Sequence, residues 1–272
     1  MITAGIDMGA KTVKMVILQD GKVLAKSLVI AGREKEKYAQ EAFDAALKQA
    51  GLSSKDVQHV TATGVGRKRV PFANDDVTAV SADIKGVISL VPSARTVIDV
   101  GAEEGRAIRC DANGKLIDFA VNEKCAAGAG TFVETLARTM EIKLEDAGEL
   151  SLKSTQDIEM NAQCAVFGES EMVSLVHQKV PKVDIIHAVH DAIASRIGSL
   201  VRTIEVEKDI AVIGGVAKNI GFIDALKKNL GLDVIVPEDP EYASALGAAL
   251  IAASGVPIEE EKIEGKVVAR ED

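Results

Sequence analysis

The sequence predicts an α/β protein of two related lobes facing each other across a cleft. Three observations predict it. Ile6-Asp7-Met8-Gly9-Ala10 returns 92 residues later as Ile98-Asp99-Val100-Gly101-Ala102. Each copy follows a short apolar run and leads into alternating strands closed by a tight turn, Asp20-Gly21 in the first and Asn113-Gly114 in the second. The chain is 47% hydrophobic but only 3% aromatic, so its core is built from Ala, Val, Ile and Leu, as suits helices packed on a buried sheet.

The elements follow in order. Thr3–Ile6, Thr12–Gln19 and Val23–Val29 read as strands, the last two forming a hairpin. Glu34–Ala50 is rich in Ala, Lys, Glu and Gln and reads as a helix stopped by Gly51. Val57–Thr63 is a strand that runs into the glycine-rich turn Thr63-Gly64-Val65-Gly66-Arg67. Val77–Val91 is a helix closed by Pro92. The second copy supplies strands Thr96–Asp99, Arg106–Cys110 and Leu116–Val121. Gly130–Met140, Ala165–His177 and Val183–Thr203 carry apolar residues at helical spacing. Ile210–Ile213 is a short buried strand leading into Gly214-Gly215, and Phe222–Leu230, Val234–Val236 and Ala243–Ala253 form an αβα ending. The expected division is 1–92 for the first lobe and 93–241 for the second. The helix at 242–254 packs back on the first lobe, and a charged, loosely ordered tail covers 256–272.

Composition excludes several classes. A net charge of −9 argues against nucleic acid or anionic lipid as a partner. No run reaches the roughly 18 apolar residues of a membrane span, and the N-terminus lacks the regions of a secretory signal. Three cysteines make no disulfide framework, so the expected setting is the reducing cytoplasm.

One Asp-x-Gly turn is ordinary turn chemistry. Two in matched contexts point to a polyphosphate gripped from both sides. Mg²⁺ travelling with a nucleoside triphosphate takes one or two carboxylates, here Asp7 and Asp99, and glycines let backbone N–H groups approach phosphate. Lys11 and Lys14 supply neutralising charge. Gly214-Gly215, after a buried strand, either admits a nucleotide closely or is a plain strand-to-helix loop. Cys125 and Cys164 each precede a predicted helix, where a thiolate is stabilised, but their separation is no ligand-spacing motif and they read first as small packed residues. His187, His190 and Asp191 lack a third ligand in view and suit a surface or interface. Glu169 either follows the charge preference of a helix start or orders a water or a hinge contact.

Together these pieces resemble the actin-like (ribonuclease H-like) ATPase superfamily, which implies a duplicated fold with nucleotide in the cleft. Lys124-Cys125-Ala126-Ala127-Gly128-x-Gly130-x-Phe132, Cys164-x-Val166-Phe167-x-Glu169-Ser170-Glu171, Gly214-Gly215-Val216-Ala217-x-Asn219 and Thr61–Arg67 narrow the resemblance. They look like the activators of 2-hydroxyacyl-CoA dehydratases and the ATP-binding subunits of benzoyl-CoA reductase, over about Thr3 to Ala253. The resemblance implies a 4Fe–4S cluster held by Cys125 and Cys164 and shared with a second copy or a homologous subunit. It implies ATP or ADP with Mg²⁺ against Asp7, Gly9, Ala10, Lys11, Thr12 and Lys14 on one side and Asp99, Gly101 and Glu103 on the other. Gly214, Gly215, Val216 and Asn219 would line the adenosine side. Asp7, Asp99 and Glu169 are the candidate catalytic residues. The implied activity is ATP-driven transfer of single electrons, taken from reduced ferredoxin or flavodoxin, into a CoA-thioester reductase or dehydratase.

Gly101-Ala102-Glu103 stands where activators commonly read Gly-Gly-Gln, Ala10-Lys11 where they read Ser-Thr, and Gly105–Arg109 looks like the reductase ATPase. These departures favour the benzoyl-CoA reductase side, with a homodimeric dehydratase activator as the alternative. A small-molecule kinase of the same fold is a more distant reading, as is an actin-like assembly protein.

Overall fold

The computed structural model describes residues 1–122, 129–160, 165–255 and 266–267. Its first sheet contains β1 (Ile2–Met8), β2 (Thr12–Gln19), β3 (Lys22–Ile30), β4 (His59–Thr63) and β5 (Asp75–Asp76), in the order β3-β2-β1-β4-β5. The second contains β6 (Thr96–Val100), β7 (Gly105–Cys110), β8 (Leu116–Asn122), β9 (Ile210–Ile213) and β10 (Lys266–Val267), in the order β10-β8-β7-β6-β9. In both, an antiparallel meander of three strands is extended by a parallel fourth, β4 beside β1 and β9 beside β6. The sequence repeat is therefore a structural repeat.

The helices are α1 (Lys35–Ala50), α2 (Ala79–Leu90), α3 (Ala129–Thr139), α4 (Leu144–Ser151), α5 (Ala165–His177), α6 (Lys182–Val201), α7 (Ile220–Leu230) and α8 (Ala243–Ser254). Gly51 ends α1 in the left-handed conformation and its N–H satisfies the last carbonyls. The Thr78 hydroxyl caps α2 by accepting from the Ser81 N–H.

Several expectations change. α4 carries no strong sequence signal because its buried face is Ala147, Gly148 and Ser151, too small to register as an apolar stripe. The strand expected at Val234–Val236 shrinks to a single bridge between Ile235 and Ala211. The tail contributes one short strand, β10, whose Lys266 and Val267 pair in parallel with Ala120 and Val121. α2 belongs by chain order to the first lobe, yet Val80, Ile84 and Val87 pack with Val97, Ile108 and Ile213 of the second sheet.

α8 crosses the other way, setting Ala245 and Ala249 against Val16 and Leu18 of β2. The two helices touch backbone to backbone where they cross. A Cβ on Gly86 would lie 2.0 Å from the Ala243 carbonyl oxygen, and one on Gly247 would lie 1.8 Å from that of Ala82. Asp83 of α2 accepts a 2.6 Å hydrogen bond from the Ser244 hydroxyl of α8 at this crossing. The largest core lies under the second sheet, where Phe132, Leu136, Ile185, Ile193 and Phe222 meet. No described helix is long and apolar enough to cross a membrane.

Candidate active site in the cleft between the lobes

The antiparallel register of β1 and β2 sets Asp7 opposite Lys14, and that of β6 and β7 sets Asp99 opposite Arg106. Each pair is bonded. Lys14 Nζ donates to Asp7 Oδ2 at 2.9 Å, and the Arg106 guanidinium donates to the Asp99 carboxylate. The turns match as well: the Gly9 N–H donates to the Thr12 carbonyl at 3.1 Å, and the Gly101 N–H to the Glu104 carbonyl at 2.9 Å.

Each Asp rests against a glycine of the neighbouring parallel strand. Gly64 follows β4 with φ +86° and Gly214 follows β9 with φ +90°. A Cβ on either would lie 2.4 Å from the Oδ1 of Asp7 or Asp99 respectively. Only glycine accepts both the backbone angle and the contact. The Gly214-Gly215 loop of the second lobe is thus the counterpart of Gly64-Val65-Gly66 in the first.

The two turns face a shared cleft. Asp7, Gly9, Ala10, Lys11, Thr12 and Lys14 line one wall, and Asp99, Gly101 and Glu103 the other, with Gly214 and Gly215 beside them. Polar residues not expected at the site from the sequence also line it, among them Glu104, Arg106, Glu241 and Ser244. Arg106 was legible in principle, because the offset that takes Asp7 to Asp99 also takes Lys14 to Arg106. Glu241 and Ser244 lie in or next to α8 and reach the site only because that helix returns to the first lobe.

Charge in the cleft is arranged in a network. Arg106 also donates to Asp83 Oδ2 at 3.3 Å and to Glu104 Oε2 at 3.2 Å. Burial opposes the guanidinium charge, but Asp99, Asp83 and Glu104 more than offset it and raise the Arg106 pKa. Asp83 is fully buried; burial first, then the charge of Asp99, push its carboxyl up to about 7, against the pull of Arg106 and Ser244. Burial also works against the Lys14 ammonium, yet the charge and hydrogen bond of Asp7 raise its pKa overall. Lys35 Nζ donates to the Ala10 carbonyl at 2.6 Å and steadies the first turn.

α3 touches both turns. The Gly130 N–H donates to the Gly101 carbonyl at 3.2 Å and the Thr131 hydroxyl to the Ala102 carbonyl at 2.7 Å. From the opposite lobe, Lys11 Nζ reaches Glu134 Oε2 at 2.5 Å. The helix that follows the Cys125 segment is therefore bonded to both phosphate-type turns.

Three expected residues stand elsewhere. Val216 is buried in the second-lobe core. The Asn219 side chain caps α7, accepting from the Gly221 and Phe222 N–H groups, and bonds His190 Nε2 at 2.9 Å. Glu169 sits on α5, accepting from the Thr139 hydroxyl of α3 at 3.3 Å, and does not line the cleft. The Thr139–Glu169 bond links α3 to α5. Cys125 and Cys164 lie outside the described residues. Among the described residues no group of three or more His, Cys, Asp or Glu is disposed to hold a metal, which includes His187, His190 and Asp191.

Residues 4–252 match the BadF/BadG/BcrA/BcrD ATPase family. The chain is 40% identical over 252 residues to the activator of lactoyl-CoA dehydratase from Anaerotignum propionicum, covering 93% of this chain and 97% of that one. It is 32% identical over 263 residues to a subunit of benzoyl-CoA reductase from Thauera aromatica, covering 93% of each. Among solved structures, the activator of the 2-hydroxyisocaproyl-CoA dehydratase from Clostridium difficile with bound ADPNP superposes with a TM-score of 0.90 at 32% identity, covering 93% of this chain and 95% of that one. The duplicated actin-like ATPase fold expected from the repeat is the fold of this chain. Between the two readings of the sequence, the relatives favour the activator: identity over nearly the whole chain is higher with the activator than with the reductase relative.

Proposed function

The chain belongs to the BadF/BadG/BcrA/BcrD ATPase family, and we propose that it is the ATP-hydrolysing activator of a 2-hydroxyacyl-CoA dehydratase, delivering single low-potential electrons to that enzyme. The observation that carries this reading is the 40% identity to an activator along almost the full length of both chains. The cleft supports the ATPase half of it. Lys11, Lys14 and Arg106 are the cations that would take the phosphates, and Asp7 and Asp99 the carboxylates that would hold Mg²⁺ directly or through water. That a relative of the same fold was solved with bound ADPNP supports a nucleotide as the ligand.

The electron-transfer half rests on Cys125 and Cys164. A 4Fe–4S cluster takes four thiolates, so these two fit half of one, and a second copy of the chain or a homologous subunit would supply the rest. The third cysteine, Cys110, is buried in the second lobe, and burial raises its thiol pKa above the usual value, which makes it a poor ligand. The segments carrying Cys125 and Cys164 run into α3 and α5, which meet through Thr139 and Glu169. Bound there, the cluster would supply the electron. What this chain's own residues add is a mechanical connection: Glu134, Gly130 and Thr131 bind α3 to both turns, so a nucleotide that draws Lys11 away from Glu134 loosens one of those ties. Reduced ferredoxin or flavodoxin would be the donor, in the cytoplasm, with no part for nucleic acid or membrane.

The sequence of the second turn, Gly101-Ala102-Glu103 and Gly105–Arg109, favours a second reading as a benzoyl-CoA reductase ATPase subunit. One experiment separates them. The anaerobically purified chain, reduced and given Mg·ATP, is added to a 2-hydroxyacyl-CoA dehydratase and, separately, to the catalytic subunits of a benzoyl-CoA reductase. ATP-dependent dehydration alone supports the activator, and dearomatisation alone supports the second reading. Iron and sulfide analysis should give one cluster per two chains, lost in Cys125→Ala and in Cys164→Ala while ATP binding remains. An iron-free wild-type chain that still hydrolyses ATP would rule out both readings.

A further inference from the structure

Glu241 stands just before α8 and lines the cleft together with Gly215 and Ser244. It is only 7% exposed. One carboxylate oxygen, Oε1, accepts from Lys218 Nζ at 2.7 Å. The other, Oε2, is buried and has no hydrogen-bond partner among the described residues. An anionic acceptor withdrawn from water and left unpaired is costly, and where such an atom borders a ligand cleft the ligand is the natural partner.

The backbone holds this group against the glycine loop of the second lobe. The Gly214 N–H donates to the Pro240 carbonyl at 3.0 Å, fixing the segment that carries Glu241 beside Gly214-Gly215. The Lys218 bond fixes the carboxylate itself, so Oε2 does not swing away to water.

Charge decides what faces it. Lys11, Lys14 and Arg106 gather at the two Asp-x-Gly turns, so that end of the cleft takes the phosphates. A carboxylate repels phosphate. The part of the ligand that meets Glu241 is therefore uncharged and offers donors to an acceptor-only group. The sugar of a nucleotide does this with two adjacent O–H groups. We infer that Glu241 reads the ribose, its free carboxylate oxygen accepting from the 2′- or 3′-hydroxyl, and so makes the cleft selective for ribonucleotides over deoxyribonucleotides. This rests on the reading of the cleft as an ATP site.

The test is equilibrium binding of Mg·ATP, Mg·2′-deoxy-ATP, Mg·3′-deoxy-ATP and Mg·ITP to the full chain, by calorimetry, for the wild type and Glu241→Ala. The wild type should bind one or both deoxynucleotides about tenfold or more weakly than ATP, as expected for a lost hydrogen bond to a charged group. Glu241→Ala should bind ATP and the deoxynucleotides alike. Should Glu241→Ala fail to show a cooperative thermal transition, the isosteric Glu241→Gln takes its place and should cut the preference to a few-fold. Equal binding of ATP and both deoxynucleotides by the wild type overturns the inference. A ribose preference that survives in the variant overturns it too, as does a variant that loses only the preference for ATP over ITP, which would place the adenine amino group at Glu241. A wild type that binds none of the four overturns the ATPase reading itself, a result distinct from binding without preference.

Discussion

Lys14 stands opposite Asp7 across the β1–β2 ladder with ammonium and carboxylate 2.9 Å apart, and 92 residues later Arg106 stands opposite Asp99 in the same register. A duplicated hairpin has kept the geometry of its acid–base pair while exchanging the cation. Both pairs face one cleft. In each lobe a carboxylate neutralises the cation that a phosphate would use.

The exchange between lobes predicts how the first pair tolerates change. Lys14→Met leaves the largely buried Asp7 carboxylate without its cation and should cost about 1–3 kcal/mol of stability. It should also weaken ATP binding by about tenfold or more. Lys14→Arg places in the first lobe the cation already used in the second and should retain most of both. Urea unfolding and calorimetric ATP titration of the two variants check this; equal losses in Met and Arg variants would mean that the charge itself is unimportant.

Gly64 and Gly214 should be equally intolerant of a methyl group. Each has a positive φ and each would drive a Cβ to 2.4 Å from an Asp carboxylate oxygen. Gly64→Ala and Gly214→Ala should each lower stability by roughly 1–3 kcal/mol through backbone strain and overpacking. Each should also lower ATP affinity, because Asp7 or Asp99 must move. Thermal unfolding and ATP titration read both effects, and a variant with wild-type values would contradict the close contact.

Asp83 predicts a pH dependence. In the folded protein its carboxyl keeps a proton up to about pH 7, whereas an ordinary aspartate carboxyl loses it near 3.8. Between those values the folded state holds the extra proton, so this group makes stability fall as pH rises from about 4 to about 7 and contributes no further slope above that. Asp83→Asn removes the slope. The wild type minus variant difference, measured by urea unfolding at pH 5, 6, 7 and 8, should decline by on the order of 1 kcal/mol per pH unit at its steepest and flatten by pH 8. A difference that rises over this range would mean that Arg106 holds Asp83 ionised throughout.

Lys11 and Glu134 are each more than a third exposed, so their ion pair contributes little to stability. Glu134→Gln should therefore change the unfolding free energy by less than about 0.5 kcal/mol. It should nonetheless tighten ATP binding several-fold, because Lys11 no longer has to leave a partner to meet phosphate. Unchanged affinity in a calorimetric titration would show that Lys11 does not meet the nucleotide.

Much of this site is local in sequence and was legible there. Asp7, Gly9, Lys11, Thr12 and Lys14 lie within eight residues, whereas the pairing of Asp7 with Lys14 is set by the β1–β2 register. Val216 and Asn219, expected beside the adenosine, each make local contacts of their own. They follow the glycines of the loop, but an apolar side chain there finds the core, and an Asn before a helix finds the free N–H groups of its first turn.

The sequence by itself determined that the chain folds as two copies of one α/β unit and that each copy ends its first strand in an acidic, glycine-bearing turn. Repetition and alternation are properties of the chain, and they need no knowledge of what lies across the cleft. Only the tertiary structure decided that α2 packs on the second sheet, that Glu241 and Ser244 reach the cleft, and that Arg106 gathers Asp83, Asp99 and Glu104 around one buried guanidinium. Those contacts join residues up to 161 positions apart, as in Asp83 and Ser244. The packing of small residues at the helix crossing brings them together, and such close approach is fixed by the whole backbone rather than by any local run of residues.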